Sequence, residues 1–355
     1  PILRLERRDT MIRFGPAGIP LSCKGRTLKD GVEDVHNLSL SALEIQMVRA
    51  TTRRRYPEDD ELGLLLREVT EDFAIEAYRD DGILPPDEPL DEEDELVCFQ
   101  SGITESFGEL DGVGRMAKRL DVEMSIHAPY YMDLGSNSDL TADCMDSVRY
   151  AGIIIDALGG GIVATNLGLY TGRLPEEDID ANIYENVSDL MDWWQEAGLR
   201  PKLGVEVTGQ PSVFGSLDQV LDLCSSIDGL VPVINFPHHH SRTGGSLVEA
   251  EDFEDLIKQI EPYYSGSGIY MAFSGVEHAD GCERKLTPIK KGDLRFEPLA
   301  ETLCEIQPDA TVISCSPLLE HDAMYMRLIN ERVLSKRVAR SIKERRKAEA
   351  AATEE

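Results

Sequence analysis

Short β-branched runs alternate with longer amphipathic stretches along nearly the whole chain, and this alternation limits the fold more than any other feature. The strand-like runs are MIRFG (11–15), ALEIQMV (42–48), VEMSIHA (122–128), GIVATN (161–166), KLGVEV (202–207), VPVINF (231–236), GIYMAFSG (268–275) and ATVISCS (310–316). Helical patterns lie between them, over about 107–119, 140–158, 178–198, 216–227, 251–261, 295–306 and 318–347. Two helix starts are marked: Pro175 before an acidic turn, and Ser216 with Asp218 after the fifth run. Repeated strand-then-helix units imply parallel strands joined by helical crossovers. The pattern predicts an α/β fold, a (β/α)8 TIM barrel. A doubly wound sheet would more often open on a glycine-rich phosphate turn, and RFGPAGIP lacks that spacing.

In such a barrel, function collects at the C-terminal ends of the strands. The residues there are Gln46, His127, Asn166, Glu206, Asn235 with His238, Ser274 with Glu277, and Cys315. So many polar strand ends predict one shared pocket. The stretch VINFPHHHSR (233–242) places three of the seven histidines in a row. Read as an extended continuation of its strand, it turns alternate side chains to opposite faces. His238 then faces the pocket with His240 beside it, and His239 points away. His278 and His321 follow the seventh and eighth strands, and His36 reads as structural. Cys315 is either a reactive thiolate or a buried, inert thiol.

The net charge of −30 argues against strong non-specific attraction to nucleic acid. There is no apolar run long enough to span a bilayer, so no membrane partner is expected. The charged opening PILRLERRDT is not a secretory signal; it reads as an extension over 1–10 before a start at Met11. Seven scattered cysteines without a CxxC pair suggest reduced thiols and a cytoplasmic protein. Two segments depart from the repeat. An acidic insertion after strand two, about 52–106, contains PEDDELGLLLREVTEDF, read as a short helix, and the acidic loop LPPDEPLDEEDE. It is either a solvated excursion or a lid. Beyond the barrel (11–326), a charged helical tail covers 327–355.

The strand-end motifs carry a family likeness. SIHAPYYMDLGS (125–136) and LGVEVTGQPSVFGSLDQVLDLC (203–224) resemble the third- and fifth-strand motifs of the endonuclease IV group within the xylose-isomerase-like TIM barrels. VINFPHHHSR, FSGVEHADG (273–281) with LTPI (286–289), and ISCSPLLEHDAMYM (313–326) resemble the later strand ends. The resemblance implies a zinc-dependent hydrolase that cleaves DNA at abasic sites in DNA repair, through metal-activated hydroxide. Position by position, His127, Glu206 and His238 match expected ligands, with Glu206 also carrying catalysis. Asn166, Asn235 and Cys315 replace a histidine, an aspartate and a glutamate, Ala272 stands near a lost histidine, and Glu283 and Lys285 fall on a later Asp-x-His. The expectation is therefore at most one zinc or other divalent ion, or none, rather than a trinuclear cluster. The remaining pocket residues are His240, Ser274, Glu277 and His278. Arg173, Arg242, Arg284, Lys290 and Lys291 are candidates to face nucleic acid, with weak binding to abasic-site DNA. Two alternatives stay open: a catalytically lapsed barrel that binds a small polar ligand or a partner, and a sugar isomerase or epimerase.

Overall fold

The computed structural model describes residues 11–353 apart from 49, 50 and 81. The extension read over 1–10 lies outside the described residues. In chain order the strands are β1 (Ile12–Pro16), β2 (Ala42–Gln46), β3 (Thr51–Arg55), β4 (Ala74–Arg79), β5 (Gly82–Ile83), β6 (Glu95–Gln100), β7 (Glu123–His127), β8 (Ile162–Thr165), β9 (Lys202–Glu206), β10 (Leu230–Asn235), β11 (Ile269–Phe273), β12 (Gly275–Ala279), β13 (Cys282–Thr287) and β14 (Ala310–Ser314). The helices are α1 (Leu28–Asn37), α2 (Phe107–Arg119), α3 (Asp139–Ala157), α4 (Glu176–Glu196), α5 (Leu217–Ser226), α6 (Phe236–Arg242), α7 (Ala250–Ile260), α8 (Phe296–Ile306) and α9 (Glu320–Thr353). Among the described residues, no helix is long and apolar enough to cross a membrane.

Eight parallel strands form one sheet in the order β1-β14-β11-β10-β9-β8-β7-β2, so the expected TIM barrel is present. The seam between β1 and β2 is closed by a bridge from Ala17 to Glu44 and a hydrogen bond from Ser41 N to Phe14 O. Gly15 is required there. A Cβ at Gly15 would fall 1.8 Å from the Ala42 carbonyl oxygen. Alternation along each strand sends residues such as Leu43, Ile126, Val205 and Ile234 into the apolar layer beneath the helices. Their neighbours fill the barrel interior, and here that interior is polar. Tyr270 on β11 donates to Glu44 on β2 at 2.6 Å and lies 2.7 Å from the Ser125 hydroxyl on β7, so these side chains meet across the barrel.

Four elements differ from the sequence reading. Helix α1 was not expected; Thr27 caps it in a reciprocal box with Asp30. The insertion holds a four-stranded antiparallel sheet, ordered β3-β6-β4-β5, in place of the expected short helix, of which one 3₁₀ turn at Leu66–Glu68 remains. Its acidic composition is compatible with folding because arginines satisfy the carboxylates. Arg55 pairs with Glu61 through two bonds of 2.5 and 2.6 Å, and Arg79 with Asp94 through two of 2.6 Å. Beneath them Leu66, Val69, Leu84, Leu90 and Leu96 form a small separate core. The module packs on the barrel helices through Phe73 against Phe107 and Glu76 against Arg149. A β12–β13 hairpin follows the seventh barrel strand, turning at Asp280 and Gly281, both with positive φ. Finally, residues 236–242 are helical, not extended, with Pro237 in the first turn.

Candidate active site

Parallel register builds the mouth. His127 pairs with Ala164, and Thr165 with Val205, so Asn166 and Glu206 end adjacent strands on one level and His127 stands two residues lower beside them. Val233 pairs with Glu206, and Asn235 stands two residues further along β10. All four side chains are buried. Glu206 is the hub. Its Oε2 lies 3.3 Å from His127 Nε2 and 3.8 Å from His238 Nε2, while Asn235 Nδ2 donates to its Oε1 at 3.1 Å. Each imidazole is also held from behind: His127 Nδ1 by the Ala128 carbonyl at 2.6 Å, and His238 Nδ1 by the Glu283 carboxylate. Glu283 reaches His238 across Gly209, whose absent side chain would sit 2.5 Å from the Glu283 oxygen.

Burial opposes charge on His127, but the Glu206 carboxylate beside it outweighs that penalty and lifts the imidazole from 6.5 to about 9. Burial would likewise raise Glu206; His127 and His238 overcome it, and the carboxyl is held below its ordinary value. His238 is raised too, burial being offset by Glu283. One layer down, Glu44 goes the other way. Burial raises it above the usual carboxylate range, in spite of nearby His127 and bonds from Tyr270 and Gln46. Two carboxyls pushed in opposite directions in one cavity are a common acid–base arrangement. Asn166 donates to the Tyr130 carbonyl at 3.3 Å, but its buried Oδ1 has no partner among the described residues. Tyr130 is exposed at the rim, yet local burial and then the Glu283 and Glu206 carboxylates push its hydroxyl up to about 12.

The other predicted residues divide. Burial pushes the Cys315 thiol up, so at neutral pH it is protonated; its Sγ lies 3.9 Å from Asn235 Oδ1. Ser274 is buried and donates to the Gly275 carbonyl. Glu277 is exposed on the hairpin and pairs with Lys285 at 3.1 Å, outside the mouth. Because α6 is a helix, His238 and His240 are about 200° apart around its axis. The expectation that they share a face is therefore corrected. His240 joins His278 and Asp293 in a second cluster whose ligand atoms all lie within 4.8 Å of one another. Leu247 N donates to His240 Nδ1 at 3.1 Å, which fixes the neutral ring's proton on Nε2, the atom facing Asp293 at 3.4 Å. That tautomer offers a metal no lone pair at Nε2, and the buried Nε2 finds no hydrogen-bond partner among the described residues. His239 is half-buried, and burial lowers it to about 4. Arg242 is turned inward, donating to Thr208 Oγ1 at 2.9 Å and to the Gln210 and Val213 carbonyls at 3.0 Å. Lys290 lies over the Tyr325 ring. Arg173, Arg284 and Lys291 are exposed. Glu44 and Tyr130 were missed as site residues, and Glu283 was placed only on the later Asp-x-His position of the family resemblance. Glu44 carried a signal: it is two residues before Gln46 and so shares its face of the strand.

The resemblance of the strand-end motifs implies metal at this mouth, and the donor set limits how it could be held. Side-chain amides at 166 and 235 and a protonated thiol at 315 stand where a second or third ion would take charged or imidazole donors. Glu206 with the two anchored imidazoles resembles the set a single ion takes, since metal-bound histidines usually have the other nitrogen hydrogen-bonded. These three are spread more widely than the second cluster, so binding an ion requires one imidazole to swing inward.

A family model described as "Xylose isomerase-like TIM barrel" matches residues 87–323. A curated relative, "Uncharacterized protein MJ0133" of Methanocaldococcus jannaschii, is 24% identical over 331 residues, covering 91% of this chain and 99% of its own. Among solved structures, an L-ribulose 3-epimerase is similar at TM-score 0.57 and 12% identity, covering 96% of this chain and 98% of its own. Endonuclease IV from Thermus thermophilus is similar at TM-score 0.56 and 15% identity, covering 90% and 99%. At these identities the two structures speak to fold alone.

Proposed function

The chain belongs to the xylose isomerase-like TIM barrel family, and from that premise we propose that its mouth binds a small polyhydroxy or hydroxycarbonyl compound and moves protons on it, in isomerase or epimerase fashion. The observation that carries this reading is the row of His127, Asn166, Glu206 and Asn235. It joins one ionised carboxylate to amides, one of which keeps a buried, unpartnered acceptor. An orphaned amide oxygen calls for a hydroxyl donor. Glu206 is the base within reach of a C–H beside a carbonyl. His127, raised to about 9 and so charged at neutral pH, would donate to the oxygen on which negative charge develops. A single divalent ion, if held by Glu206 and the deprotonated imidazoles of His127 and His238, would replace that donated proton and polarise that same oxygen.

The test is solvent exchange. Pentuloses, hexuloses and their aldoses are incubated with protein in deuterium oxide, and loss of the proton next to the carbonyl is followed by NMR. The wild type should exchange at least one of them, and Glu206→Gln should lose about 10²–10⁴-fold in rate. No exchange across the panel overturns the reading.

Hydrolysis of DNA at abasic sites is the second reading. Exposed Arg173, Arg284 and Lys291 and the exposed Tyr130–Tyr131 pair favour it, as cations for phosphates and rings for stacking. The inward-turned Arg242 and the depleted donor set count against it.

A further inference from the structure

Above the Ala17–Glu44 bridge, β1 and β2 part around a cavity of about 360 Å³ at one corner of the mouth. Its apolar wall includes Ile19, Ile45, Ile103 and Leu319, and its polar lining comes from Glu44, Gln46, Arg26 and Ser101. We propose that this corner is a subsite for an aromatic or branched alkyl group on a small ligand whose hydroxyl end meets Gln46.

Three observations support the proposal independently of the mouth chemistry. The cavity is of the size that encloses small organic groups and is lined mainly by aliphatic side chains, as such sites are. Large apolar residues on the neighbouring loops stand open to solvent: Val48 is 71% exposed, Leu21 53% and Leu318 41%. Such a cluster beside an apolar cavity is the mark of a binding rim. The wall is also held in strained backbone. Leu319 has φ 40, a left-handed conformation that a leucine side chain does not favour, and such outliers gather at ligand sites. Gly18, at φ 128, leaves open the space between Gln46 and Leu319, where a Cβ would make ordinary contacts at 3.8 and 4.0 Å. Ile103 lies on the segment that returns from the insertion to α2, so the inserted module supplies one wall. The inference deepens the small-ligand reading and rests on it only in holding that one molecule spans the corner and the mouth.

The experiment uses the full chain with labelled isoleucine, leucine and valine methyls and benzyl alcohol as the probe. Benzyl alcohol should shift the Ile19, Ile45 and Leu319 methyls in a saturable way, with a Kd on the order of 1 mM for so small a ligand. Glycerol, which lacks the ring, should leave them unmoved. Ile103→Trp, with methyl spectra elsewhere unchanged to show that the fold is kept, should weaken benzyl alcohol at least tenfold. If that variant does not fold, Leu319→Gly, which removes wall and strain together, should weaken it likewise. Unmoved corner methyls, equal shifts with glycerol, or undiminished binding by the folded variants would overturn the proposal. A failed deuterium-exchange panel with a corner that takes benzyl alcohol would refute the proton chemistry and leave this subsite standing.

Discussion

Replacing Glu206 by Gln keeps the shape of the hub and removes its charge. His127 is held at about 9 against an ordinary 6.5, and Glu206 is the leading cause of the rise. At pH 7 a shift of that size corresponds to about 2–3 kcal/mol of stability, counted once for the pair. For a chain of this length that is a fall in Tm on the order of 5 °C. The pH dependence is the sharper signature. A raised histidine contributes fully below 6.5, and its contribution is lost as pH climbs through 9. The depressed Glu206 contributes above its ordinary 4.5 and loses that contribution as pH falls through its lower folded value. The stability gap between wild type and Glu206→Gln should therefore be widest between about pH 4.5 and 6.5, and should narrow steadily toward pH 9. Denaturant unfolding of both proteins at half-unit intervals measures it. A gap that stays constant across that range, or no gap at all, would refute the buried pair.

Three further outcomes follow from the same geometry. Asn235→Asp combined with Cys315→Glu restores two carboxylates to the mouth and should raise zinc affinity at least tenfold by calorimetry; unchanged affinity would mean those positions do not face a common ion. Leu96→Ala, deep in the core of the insertion, should cost about 2–4 kcal/mol of the module's stability, seen as early loss of hydrogen-exchange protection in β3–β6; unchanged protection would contradict a separate core. Binding of an abasic duplex should be weak and should fall steeply with salt, as phosphate contacts release counterions. Deleting the acidic insertion should strengthen that binding if it screens the mouth; if neither form binds at low salt, the nuclease reading is dropped.

The barrel was legible because burial on both faces of its strands leaves nearly continuous apolar runs such as VPVINF, and each observed barrel strand lies within two residues of its predicted bounds. The insertion was not, because its strands AIEAYR and ELVCFQ (74–79 and 95–100) carry Glu76 and Glu95, whose arginine partners, Arg149 and Arg54, are distant in sequence. The histidine triplet was placed at the mouth but given the wrong local structure. Pro directly after the strand could have signalled a first helical turn, and the 100° step then parts His238 from His240. Glu283 fell on a later Asp-x-His position in the family resemblance, but its contact with His238 comes through the hairpin: the Asp280–Gly281 pair marks the turn, and the β-bulge at Glu277 and His278 that sets its register is invisible in the sequence. Glu44 was hidden by attention to strand ends, although strand alternation points it inward.

The central claim is that this mouth retains one ligand set at most and works as a proton-handling site for a small molecule. Elemental analysis after saturation with zinc and removal of the excess by gel filtration tests it most directly. The account predicts no more than one tightly held ion per chain, lost in Glu206→Ala and retained in His240→Ala. Two or three ions per chain, or an ion that follows His240 instead of Glu206, would contradict it.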